Sequence, residues 1–223
     1  MKKILQRELA FKTWGGKRRR AGRKAVDRRP NGPAHRARKS FRHRKPCHIT
    51  LRALPGLPNF REKKNFVALK EILRAGSDRL GIRLVHFSVQ KNHLHLIVEA
   101  DDSACLSLGV KGLEIRLARC VNRVAGRAGR VFKHRYDVKI LGTPGQVRAT
   151  LVYVLANARK HAAQAGVATP AFWIDPFSSG GWFDGWLETP PLTTEAWVLP
   201  QTWLLRVGWL KHGRIGVSEA PKA

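Results

Sequence analysis

Acidic residues are scarce in this chain: 15 Asp or Glu stand against 43 Lys or Arg among 223 residues, a formal charge of +28. That imbalance argues against an ordinary enzyme of small neutral substrates and calls for a polyanionic partner. Cysteine is nearly lacking as well. Cys47, Cys105 and Cys120 are odd in number and have no CxxC spacing, which excludes a disulfide framework and a zinc ribbon and reads as reduced thiols in a cytoplasm. No run approaches about 18 consecutive apolar residues, so no membrane span is expected, and the opening MKKILQRELAFK has no secretory apolar core. Tyrosine occurs twice, at 136 and 153, leaving two phenols for any chemistry that needs one. The length suits one well-buried domain with appendages.

What is present falls into three zones. Residues 1–45 carry 18 Lys or Arg against Glu8 and Asp27, residues 46–163 carry 21 against 8 acidic residues, and residues 164–223 carry 4 against 5. The first zone, with GGKRRRAGRK and PAHRARKSFRHRKP, has too few apolar groups to offset the entropy of ordering, so a disordered basic arm is expected. It suits phosphate neutralisation without base reading, or a localisation tail. The third zone holds six of the seven tryptophans among turn-rich stretches such as DPFSSGGWFDGW. It is expected to be an irregular appendage, its tryptophans either packing a small subdomain or stacking on single-stranded bases.

The middle zone alternates. Strand-like CHITLRAL (47–54) precedes a helical pattern over 60–80, and IRLVHFSVQ (82–90) and HLHLIVEA (93–100) form a hairpin across Lys91-Asn92. An amphipathic helix then opens at Ser103, with Leu106, Val110, Leu113, Leu117 and Val121 on one side and Arg116, Arg119, Arg123 and Arg127 along another. VFKHRYDVKIL (131–141) reads as a strand, and a third helix runs from Thr143-Pro144 to about His161. The order β-α-β-β-α-β-α predicts an α+β fold, a ferredoxin-like split βαβ antiparallel sheet with two helices on one face and an extra C-terminal helix.

On the strand 93–100, side chains alternate, so His93 and His95 share one face and Leu94, Leu96 and Val98 the other. With the leucines on the helices, the imidazoles lie together on the far face, as metal ligands or as ordinary strand histidines. On the third helix, Leu151, Val154, Leu155 and Ala158 form the apolar stripe. Tyr153 and Asn157 sit one turn apart off it, either a surface pair or a functional one.

NHLHLIVE, HITLRA, VFKHRY and YVLAN, in this order of elements, resemble the single-tyrosine HUH transposases, especially the REP-associated tyrosine transposases, over residues 46–163. The resemblance implies an HUH endonuclease-like domain flanked by the arm (1–45) and the appendage (164–223). His93, His95 and Asn157 then match the ligands of a divalent metal, Mg²⁺ or Mn²⁺, and Tyr153 matches the nucleophile. The implied reaction is cleavage and rejoining of single-stranded or hairpin DNA through a 5′-phosphotyrosine. A bacterial cytoplasmic protein acting at the nucleoid follows, as monomer or homodimer, with the helix arginines Arg116, Arg119, Arg123 and Arg127 as DNA contacts. Lys91 and Ala158 stand where relatives often carry proline, which alters a turn and a helix end without removing a ligand.

Other readings remain. A non-catalytic basic ferredoxin-like DNA- or RNA-binding protein would use the same charge, although no aromatic RNP1-like strand is present. His48-Ile49-Thr50 and His86-Phe87-Ser88 fit the HxT/S pairs of two-histidine phosphoesterases but leave His93 and His95 unexplained. A histidine-triad hydrolase lacks its third alternating histidine at Ile97, and Leu96, Ile97 and Val98 exclude an HxHxDH zinc hydrolase.

Overall fold

A computed structural model describes residues 38–188, 190 and 197–221; the expectation of a disordered arm lies, over 1–37, outside the described residues. Strand β1 (Lys45–Arg52), helix α1 (Lys63–Ala75), the two-residue β2 (Asp78–Arg79), β3 (Ile82–Val89), β4 (His93–Ala100), helix α2 (Ser103–Val124) and β5 (Asp137–Ile140) follow in order. All strand pairs are antiparallel, in the spatial order β2-β3-β4-β1-β5. Without the short β2 this is the order of the split βαβ fold, so the α+β ferredoxin-like architecture holds.

Alternation builds one core on each face of the sheet. Ile49 and Leu51 of β1, Phe87 and Val89 of β3, and Leu94, Leu96 and Val98 of β4 pack with Leu69 and Leu73 of α1 and Leu106, Val110, Leu113, Leu117 and Val121 of α2. Asp102 caps α2 by accepting the amide of Cys105 at 2.7 Å, so the helix opens at Ser103 as expected. On the other face Ile97 and, at a bulge in β3, Val85 meet Val147, Leu151, Val154 and Leu155 of helix α3 (Pro144–Leu155), with Trp186, Trp209, Ile215 and Val217 beyond. Pro144 at the first turn and the Thr143 side chain, which accepts the Gln146 amide, start α3. A sheet covered on both sides has three layers.

The chain departs from the expected elements at three points. The packed region begins before residue 46: Phe41 is buried in the α1/α2 core and its amide donates to Ser103 Oγ at 2.6 Å. The expected strand 131–141 is interrupted. Phe132 bridges Ala53, Asp137 pairs with Thr50, and the four residues between them on one strand face only two on the other, so the ladder bulges. Third, the expected helix 143–161 is broken at Ala156 (φ −102°, ψ 6°), and helix α4 (Asn157–Gln164) continues in a new direction.

The tryptophan-rich region is an integral wall. Phe177 pairs with the edge of β3 through its carbonyl, which accepts the Val89 amide at 2.8 Å, and the stretch covers an edge that β2 is too short to protect. Trp182 and Trp197 pack on Phe87. Arg61 forks onto Asp175, which is 2% exposed, at 2.7 and 2.8 Å. Fully buried Glu99 of β4 accepts the amides of Gln201 and Thr202, each at 2.7 Å, and the Thr202 hydroxyl at 2.6 Å. These contacts seat helix α5 (Trp203–Arg206) and the 3₁₀ turn Gly208–His212 against α3. Trp186 and Trp209 are buried as packing residues, whereas Trp203 is 53% exposed. No helix among the described residues is long and apolar enough to cross a membrane.

Candidate active site

The α3 face of the sheet carries a row of imidazoles. Register places Thr50 opposite His95 and Arg52 opposite His93, so β1 and β4 aim His48, Thr50, His93 and His95 to the same side. His95 is the hub. Its ring centroid lies 4.8 Å from His93, 5.3 Å from His48 and 5.0 Å from Tyr153, the last edge-on. His48 is itself 5.7 Å from Tyr153, and His161 of α4 stands 6.4 Å from His93. Asn157 lies between Tyr153 and His161 in the chain, buried to 2% exposure.

Burial sets the charge of this row. Desolvation holds His95 down at about 3, helped by the fields of His93, His48, His161 and Arg52. It holds His93 at about 4, with Arg52 and His161 adding, and His48 at about 4, with Lys139 adding. All three are neutral imidazoles at pH 7, the form that donates a lone pair. Acid should therefore destabilise the fold. These histidines have ordinary values of 6.5 and native values of about 3 to 4, and buried His86 behaves alike at about 4. Below 6.5 the unfolded chain binds protons that the native state refuses, so stability falls as pH drops from 6.5 toward 4 and this loss levels off once the native rings also protonate. A thermal midpoint that stayed constant across that window would contradict the burial of these rings.

Two clefts flank the row. One, of about 580 Å³, opens beside His48 and Tyr153 and is lined also by Lys139, Arg148 and His212. The other, of about 650 Å³, opens beside His93 and His161, with Lys91, Asn92 and Trp173 in its wall.

Among the described residues no three His, Cys, Asp or Glu side chains group to hold a metal. The donor set implied by the resemblance is of another kind, two imidazoles and a carboxamide, and the residues fit it. Nε2 of His95 is buried without a hydrogen-bond partner, and so is Nδ2 of Asn157, where an amide flip would put an oxygen. Nδ1 of His93 faces Asn92 Oδ1 at 2.9 Å, which leaves its Nε2 as the free donor. Neutral nitrogens with one amide oxygen suit a divalent ion that keeps sites open for substrate.

Residues 59–157 match the family model described as IS200-like transposase. The chain is similar to this family over those 99 residues, a little under half of its length. The match contains His93, His95, Tyr153 and Asn157 and leaves His48 and His161 outside it. Among solved structures it is similar to a REP-associated tyrosine transposase bound to a REP hairpin, at 13% identity over 66% of this chain and 82% of the other, with a TM-score of 0.49. A protein of Deinococcus radiodurans R1 described as a transposase aligns at 16% identity over 60% of this chain and 99% of its own, with a TM-score of 0.39. No curated protein matches.

The fold brings together His93, His95 and Tyr153 among the sequence candidates. Asn157 does not continue the Tyr153 helix; it opens α4 after the break. The helix arginines lie apart from the row, because α2 covers the opposite face of the sheet. Arg116 is engaged there with the carbonyls of Gly112 and Ala75, Arg119 and Arg123 are exposed on α2, and Arg127, expected on the same helix, lies beyond its end at Val124 and donates to the Arg130 carbonyl at 3.2 Å. Sequence reasoning placed His48 only in the phosphoesterase pattern and passed over His161. The signal for His161 was its place four residues after Asn157, one helical turn on; His48 could be found only from the β1–β4 register. His86, the second half of the phosphoesterase pattern, is closed off by Ser179 Oγ at 3.2 Å and the Phe183 ring.

Proposed function

We propose that this protein is a transposase, a metal-dependent transesterase of single-stranded DNA, with Tyr153 as nucleophile and His93, His95 and Asn157 as the ligands of Mg²⁺ or Mn²⁺. The observation that carries the reading is one site in which neutral imidazoles, one with an orphaned buried Nε2, meet the edge of the one tyrosine outside the main core. A divalent ion bound there would draw charge from the non-bridging phosphate oxygens. Tyr153 Oη attacks phosphorus, giving up its proton to solvent, and the P–O3′ bond breaks. The 3′ oxygen leaves and takes a proton, and the 5′ phosphate stays on the tyrosine as an ester that a later 3′-hydroxyl can reverse. Lys139 lines the cleft beside Tyr153 and suits a flanking phosphate, whereas Arg148 in the same wall is held by the Glu219 carboxylate at 2.6 and 2.8 Å.

The test is incubation of the full chain with end-labelled single-stranded hairpins and Mg²⁺ or Mn²⁺, scored on denaturing gels. A metal-dependent covalent adduct is expected. Binding without cleavage would favour the non-catalytic DNA-binding reading.

Arg119, Arg123 and Arg127 and the basic N-terminal zone are assigned to phosphate contacts outside the reacting segment. Removing residues 1–37 should weaken binding to many sequences alike and flatten its salt dependence, by about 0.7 log units of slope for each single-strand phosphate that the zone neutralises. Sequence preference should survive. An unchanged slope in salt-titrated binding would assign the zone to targeting instead.

A further inference from the structure

We infer that His48 is a positioning residue that holds His95 in its Nδ1–H tautomer and so presents the Nε2 lone pair to the metal, an inference that rests on the metal-dependent reading above. His95 Nδ1 stands 3.2 Å from His48 Nε2 and 3.2 Å from Thr50 Oγ1, while Nε2 on the other side of the ring is buried and has no partner. A neutral imidazole carries one proton. On Nε2 it would be a buried N–H with nothing to accept it, and on Nδ1 it has two acceptors. The proton therefore belongs on Nδ1, and His48 accepts it at Nε2 with its own proton on Nδ1.

The fold builds this arrangement in. His48 and Thr50 are alternate residues of β1, so both project to the His95 side, and Thr50 is in direct register with His95. The ring of His48 packs against those of both His95 and Tyr153, which also touch each other, so the three rings form a triangle. A ligating histidine is ordinarily oriented by a partner on its other nitrogen, and loss of that partner typically weakens metal binding by about 10–100-fold.

The experiment uses the full chain and two readouts besides activity. Nitrogen-15 NMR of the metal-free protein reports the His95 tautomer, and calorimetric titration with Mn²⁺ alone reports affinity for wild type, H48F and H48Q, with thermal melts as a check on folding. Expected are an Nδ1–H tautomer, Mn²⁺ binding weakened about 10–100-fold in H48F, and recovery in H48Q, whose amide oxygen can accept where Nε2 did. An Nε2–H tautomer, or an H48F protein that binds Mn²⁺ as wild type does, overturns the inference and leaves the metal site standing. A wild-type protein that binds no Mn²⁺ overturns the metal-dependent reading and this inference with it.

Discussion

Tyr153→Phe is expected to fold, bind single-stranded DNA and bind Mn²⁺, yet to lose adduct formation by about a thousandfold or more, the scale on which removing a covalent nucleophile acts. The change deletes one hydroxyl and keeps the ring that packs against His48 and His95. Tyr136→Phe should retain the adduct. Tyr136 is 6% exposed in the core on the α1/α2 face, with Arg38 stacked 3.6 Å above its ring, and burial raises its phenol above the ordinary value of 10.0, away from reactivity. Mass spectrometry of the cross-linked peptide decides between them. Attachment through Tyr136, a serine or a histidine would overturn the nucleophile assignment even in a protein that cuts DNA.

The next largest effect is expected at the histidine pair. His93→Ala and His95→Ala should each lower Mg²⁺- or Mn²⁺-dependent cleavage by about a thousandfold or more, since losing a metal that stabilises charge on phosphorus forfeits several kcal/mol in the transition state. DNA binding should stay near wild type, because the basic residues that suit phosphate lie elsewhere. The two variants differ in side effects. His95 is 3% exposed and its removal leaves a hole beside His48, so a lowered melting temperature should accompany it, whereas His93 is half-buried and should be removed with little loss of stability. Rates measured over a metal titration separate the outcomes. Full cleavage by both variants at every metal concentration would sink the ligand assignment.

What could be read from the sequence was whatever depends on a local period. The alternation of HLHLIVEA bounds β4 correctly and puts the two imidazoles on one face, since side-chain direction along a strand is set by the backbone pleat. The leucine and valine spacing of α2 and the Thr143-Pro144 start of α3 are local in the same sense. The split βαβ order then follows from the succession of elements.

Only the tertiary structure decided the rest. Helix α3 was read with a single covered side, but the C-terminal region closes over its back, so Val147 and Val152 are buried along with the expected stripe. That wall is held by Glu99 and Asp175 through contacts spanning about a hundred residues or more, which no local pattern encodes. The break at Ala156 has no proline or glycine to announce it, and it makes Asn157 the first residue of a new helix. The basic stripe of α2 was legible as a stripe, yet its separation from the histidines depends on which sheet face α2 covers. His48 entered the site by register, since a residue 47 positions before His95 becomes its neighbour only when β1 pairs with β4. Side-chain direction is a property of the strand and can be read from its letters; adjacency between strands is a property of the folded sheet.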